Sequence, residues 1–165
     1  MMRNILLCLL FIGMISCAES DNLNKELTGN EFSYSLFSGS DFGYEGLVTI
    51  SEKRSGTAQV LIELSGPTGE SFFPAHLHFN SFDTPDAELA ALLSPINART
   101  GISLTDLDFL ADESLISFDD LVEFNGHIKI HFDDGANQDI ILAFGNIGSN
   151  KLMLDGQAAQ CDGPN

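Results

Sequence analysis

The chain has 165 residues, 44% of them hydrophobic and 19% charged, which is enough for one domain with a sizeable core. Seven Lys and Arg stand against 24 Asp and Glu, a formal net charge of −17. Such a field repels phosphates, so it sets nucleic acid and anionic lipid head groups aside as partners, and it attracts cations. The acidic residues are scattered along the chain and read as a solvated surface.

Arg3 is followed by an apolar run from Ile5 to Ile15. The run is too short to span a bilayer, which takes about 20 apolar residues, and it suits the core of a secretory signal covering residues 1–16. Loss of Arg3 with that segment leaves six basic residues against 24 acidic ones, a net charge of −18. The segment ends Met14-Ile15-Ser16-Cys17-Ala18 and resembles the lipobox of bacterial lipoproteins. The resemblance implies cleavage before Cys17 and lipidation of Cys17. Ala18 in the next position implies sorting to the outer membrane, and Glu19 and Asp21 resemble surface-export signals. The expected setting is therefore the bacterial cell envelope, as an outer-membrane lipoprotein facing the periplasm or the surface, with the membrane reached only through the lipid. Residues 17–30 read as a flexible tether and 156–165 as a flexible tail, with the folded domain at 31–155. Cys8 leaves with the signal and Cys161 is a lone thiol in the tail, so no internal disulfide is expected.

Along the domain the dominant period is two, the signature of strands. Phe32, Tyr34 and Leu36 alternate with Ser33, Ser35 and Phe37, and Gly39–Gly43 reads as a turn. Leu47–Ser51 and Ala58–Leu64 predict two strands joined as a hairpin through 52–56, and Gly66-Pro67-Thr68-Gly69 a further turn. Ser71–Phe79 predicts a strand. Residues 80–125 are less regular. Asp86–Leu93 fits either a short helix or a strand, ended by Pro95. Phe118–Phe124 predicts one or two helical turns with Ser117 as N-cap and Gly126 as a stop. Gly126–Phe132 and Asp139–Phe144 predict strands, Gly145–Asn150 a glycine-rich loop and Lys151–Leu154 a last strand. The sum is an all-β fold: an antiparallel Greek-key sandwich or barrel of about seven or eight strands, with one or two short helical turns in the 80–125 region.

The chemistry-bearing stretch is Pro74-Ala75-His76-Leu77-His78-Phe79. On a strand His76 and His78 share one face and Ala75, Leu77 and Phe79 the other, so an apolar side can meet the core while both imidazoles look outward. The two Cα atoms lie roughly 6.5–7 Å apart, close enough for both rings to reach one metal ion. The other two histidines, His127 and His131, share the outward face of their own strand with Lys129, opposite Ile128 and Ile130. Three imidazoles suit copper or zinc. On a regular strand His127 and His131 are separated by roughly 13 Å, so at most one of them joins His76 and His78 unless a bulge intervenes. Spacing leaves open which. Asp106, Asp108 and Asp112 lack the glycine and glutamate of an EF-hand loop, and Asp133 and Asp134 read as a solvated acidic turn.

His76-Leu77-His78, the stretch Ile128–Asp134 and the run Gly145-Asn146-Ile147-Gly148-Ser149-Asn150 resemble motifs of the copper/zinc superoxide dismutase family. That resemblance implies His76, His78 and His131 as copper ligands. It does not extend to the dismutase machinery: residues 79–126 contain no histidine, and Asn150 stands where that family has a substrate-guiding arginine. Pro74–Asn80 and Gly126–His131 look like features of the CHRD domain, named after chordin, and this likeness covers most of residues 31–155. It implies a non-enzymatic binding or structural module on the envelope, with copper or zinc binding by His76, His78 and His131 as the alternative.

Overall fold

A computed structural model describes residues 26–66 and 69–150. The signal segment, Cys17, Cys161 and the strand expected at Lys151–Leu154 lie outside the described residues. Eight strands form: β1 Leu27–Ser38, β2 Glu45–Lys53, β3 Ala58–Ser65, β4 Phe72–Phe79, β5 Leu89–Asn97, β6 Ile102–Leu107, β7 Asn125–His131 and β8 Ile141–Gly148. One short helix, α1 Phe118–Val122, precedes β7. All strand pairs are antiparallel and close into a barrel in the order β1-β2-β3-β6-β5-β4-β7-β8.

The barrel interior is filled from every side by the inward residue of each alternating pair. Val48 lies opposite Ile62, Ala75 opposite Ile130 and Leu77 opposite Ile128, and none of these side chains is more than 1% exposed. Burying an aliphatic side chain of this size contributes about 1.5–3 kcal/mol, so these strands gain their stability on the inward face. Helix α1 carries a capping box: the Ser117 hydroxyl accepts from the Asp120 N–H at 3.1 Å and the Asp120 carboxylate accepts from the Ser117 N–H at 3.0 Å. Its buried Phe118 and Leu121 pack against the barrel.

Three sequence expectations are corrected here. Pro95 does not end an element; it lies inside β5. The β4–β5 ladder shifts register between Phe73 and Ala75, pairing Phe73 with Ile96 and Ala75 with Leu93. Pro74 and Pro95 both fall in that bulge, where no ladder N–H is needed. Gly126 does not stop the helix, whose C-cap is Glu123, but belongs to β7. Gly145–Gly148 is not a loop but the end of β8. Gly145 is there because β1 crosses closely: a Cβ at this position would fall 2.3 Å from the Ser35 carbonyl oxygen.

β6 is the strand that sequence reading does not find. Its inward residues are Ser103, Thr105 and, at its end, Leu107, while its outward Ile102 and Leu104 are about half exposed, so over most of the strand the usual pattern is inverted. The polar residues have a purpose. β5 and β6 share only one backbone pair, Asn97 with Ile102. Ser103 donates to the Ser94 carbonyl, and Thr105 accepts from the Ser94 N–H at 2.8 Å, so side chains close the seam beside Pro95.

Candidate metal centre

The ladder between β4 and β7 sets His76 beside Lys129 and His78 beside His127. Because Ala75, Leu77, Ile128 and Ile130 face inward, all four histidines stand on the outer wall of the barrel. Gly126 lets the two strands close at this level, since a Cβ there would fall 2.5 Å from the His78 carbonyl oxygen. The wall is not bare. The connection between β4 and β5, residues 80–88, folds back over it.

Asn80 starts that return in the left-handed region at φ 64°, which asparagine tolerates. Its N–H donates to the Asn125 carbonyl at 2.7 Å, and its own carbonyl accepts from His127 Nδ1 at 2.7 Å. Asn146, on the outward face of β8, accepts from the Phe82 N–H and donates to the Ser81 hydroxyl, each at 3.0 Å. Phe82 stacks on Phe144 with ring centroids 4.4 Å apart. At the far end of the loop the Ala87 carbonyl accepts from His78 Nδ1 at 3.0 Å. His127 and Asn146 are consequently buried although they point away from the barrel core.

His76, His78 and His131 come together: each offers a ring nitrogen, and these atoms all lie within 4.8 Å of one another. The His76 and His131 ring centroids are 4.7 Å apart, and those of His76 and His78 5.9 Å. This is the only group of three or more potential metal ligands among the described residues. His127 is not in it. Its ring stacks on His78 instead, with centroids 5.1 Å apart and planes 11° from parallel.

The hydrogen bonds fix the chemistry of each ring. His78, His127 and His131 each turn Nδ1 toward a backbone carbonyl, the last toward Gln138 at 2.7 Å. A carbonyl only accepts, so Nδ1 carries the hydrogen and Nε2 is left with its lone pair. In all three rings Nε2 is buried and has no hydrogen-bond partner. A buried acceptor without a partner costs about 1–3 kcal/mol, so these atoms are held there against the interest of folding. Among the described residues the His76 ring makes no hydrogen bond, so no backbone carbonyl fixes its tautomer. Copper or zinc bonds of about 2.0–2.1 Å place ligand nitrogens roughly 3.3–3.5 Å apart, so a bound ion would draw the three rings somewhat closer together.

Electrostatics agree with neutral imidazoles at His76, His78 and His127. Burial pushes His76 down to about 4, with repulsion from His131 and His78 adding to it. Burial likewise lowers His78, against the raising effect of its bond to Ala87, and lowers His127 to about 4. A histidine kept neutral near pH 6 presents its lone pair to a metal without proton competition.

The acidic positions are spent elsewhere. Asp133 accepts from the Gly135 and Asn137 N–H groups within its own turn, Asp112 from Ser114, and Asp106 pairs with Lys53 at 3.1 Å. The orienting carbonyls of Ala87 and Gln138 carry no side-chain signal, so sequence could not have found them; Asn146 was visible in the glycine-rich run but not its role beneath the 80–88 loop. No described helix is long and apolar enough to cross a membrane. No family model, curated protein or solved structure matches the chain.

Proposed function

We propose that this protein is a metal-binding module of the bacterial cell envelope, in which the Nε2 atoms of His78 and His131 and a ring nitrogen of His76 hold one copper or zinc ion. One observation carries the reading: His78 and His131 each have Nδ1 anchored on a backbone carbonyl and a buried Nε2 without a partner, and with His76 they form a group whose ring-nitrogen donors lie within 4.8 Å of one another. An outer partner that fixes the tautomer of a ligating histidine is the usual support of a metal site. Three imidazole donors suit both ions and leave a coordination position for a small ligand.

The function is one of binding, not turnover. Residues 79–126 supply no further histidine for a second metal, and Asn150 stands in place of the guiding arginine of the dismutase family. The CHRD likeness in Pro74–Asn80 and Gly126–His131 supports the same role. The strand order, in which β3 connects past β6 and β5 to β4, supports a Greek-key path for the barrel. The lipobox-like segment ending at Cys17 supports an outer-membrane anchor.

Metal analysis of the full chain, purified without a histidine tag, tests the site. One equivalent of copper or zinc is expected, and none in the His76→Ala/His78→Ala double variant. A wild-type chain that takes up neither ion at micromolar concentration overturns the reading. Cys17→Ser is expected to move the protein from the membrane to the soluble fraction, and retention on the membrane overturns the anchor.

A further inference from the structure

The register carries one outward row across the barrel wall: Leu92 on β5, His76 on β4, Lys129 on β7 and Phe144 on β8. Lys129 is thus the lateral neighbour of a ligand and sits between the other two histidines of its own strand. It is half-buried, with the stacked Phe82–Phe144 pair on its far side. In a chain with 24 acidic residues its lack of an ion pair is unusual. Lys53 pairs with Asp106 and Arg99 with Glu70, whereas Lys129 has no carboxylate within pairing distance among the described residues.

The charges acting on two of the proposed ligands are equally one-sided. His76 feels His131 and His78, and His78 feels Lys129 and His131, with no carboxylate among them; the one carboxylate felt on this wall is Asp83, which acts on His127. Three neutral imidazoles bring nothing to offset a divalent ion. Ion and ammonium together leave about three positive charges on a half-buried wall, which is costly without a counter-charge. Leu92, 65% exposed, flanks His76 and leaves that side of the site open to solvent.

We propose that the open coordination position takes a small anion that donates a lone pair to the metal, and that Lys129 holds that anion by its charge. The inference rests on the three-histidine metal reading. The anion completes the coordination and neutralises the ammonium at once, which explains why the only described cation beside the histidines is left without a carboxylate. The class it selects is a small monoanion such as a halide, hydroxide or carboxylate, in preference to a neutral donor.

The test uses the full chain loaded with copper(II) and titrated with azide, followed by the azide-to-copper absorption band. Copper stoichiometry is measured first on every variant. Wild type is expected to bind azide, with affinity reduced about fivefold to tenfold in Lys129→Gln and Lys129→Met and kept within about twofold in Lys129→Arg. Lys53→Gln, which removes a charge far from the row, is expected to change it by less than about twofold. Imidazole, a neutral ligand, is expected to bind all variants alike. Copper-loaded wild type that binds no azide, or Lys129→Gln and Lys129→Met that bind it as tightly as wild type, overturns the anion site while the metal reading stands. A chain that takes up no copper overturns both.

Discussion

Two outer faces of the same barrel obey opposite rules. Over β2, β3 and β6 the wall is open to solvent, yet it displays Leu47, Ile102 and Leu104, each between 38% and 48% exposed. Over β4, β7 and β8 the wall is covered by residues 80–88, yet beneath the cover lie histidines and Asn146. Folding alone would distribute these residues the other way round. The bare face costs little, because scattered apolar side chains on a surface are normal. The covered face is expensive, because every polar atom taken from water needs a partner, and three Nε2 atoms have none. The expense marks the face that serves something other than folding. Within it the two histidines of β7 divide the work: His127 holds the cover, and His131 joins the proposed ligand set.

The largest expected effect breaks that division. His131→Ala removes a proposed ligand and is expected to weaken copper binding about 100-fold or more, while thermal unfolding of the metal-free chain shifts little. His127→Ala is expected to do the reverse. It strips the Asn80 carbonyl of its donor and opens a cavity beneath the loop, for a loss of about 3 kcal/mol in urea unfolding. Its copper affinity should fall by no more than about tenfold, through loosening of the Ala87 carbonyl that orients His78. Equal losses of metal affinity in the two variants would erase the distinction.

Much of this was legible in the sequence, and the limits are physical. Strands β1 to β4 and β7 announce themselves because their inward residues are aliphatic and their outward ones polar. β6 does not, because Ser103 and Thr105 are turned inward to bind Ser94. β5 does not, because Leu89–Leu93 is built of alanine and leucine, whose helical preference is overruled by pairing with β4. The histidine pattern could be read as two outward pairs, since a period of two places them. That His127 would be fully buried could not, because its cover is a loop held by main-chain carbonyls, and carbonyls leave no trace in side-chain chemistry.

Acid sharpens the same comparison with a smaller effect. His127 is lowered by burial to about 4 from its ordinary 6.5. Between these values the unfolded chain binds a proton that the folded chain refuses, so stability is fully present above about pH 6.5 and falls with pH until about 4. One such group contributes a slope of about 1.4 kcal/mol per pH unit in that window. His76 is lowered in the same sense, with a smaller contribution because its ring is partly exposed to solvent. Urea midpoints of metal-free protein at pH 7, 6 and 5 are therefore expected to fall steadily, and His127→Phe to flatten the slope. An unchanged slope in that variant would show that the ring is not kept neutral by its cover.

The smallest expected effect belongs to the bare face. Lys53 and Asp106 sit 3.1 Å apart across the β2, β3 and β6 surface, with the carboxylate about half exposed. The pair also raises the affinity of Lys53 for its proton. Water and salt screen such a pair, and ordering two side chains offsets much of the attraction, so a double-mutant cycle with Lys53→Met and Asp106→Asn is expected to give less than about 1 kcal/mol. Copper affinity should not move in either variant. A coupling well above that figure would mean that the open face is also carrying polar interactions essential to the barrel, and the contrast between an inexpensive wall and a costly one would no longer single out the histidines.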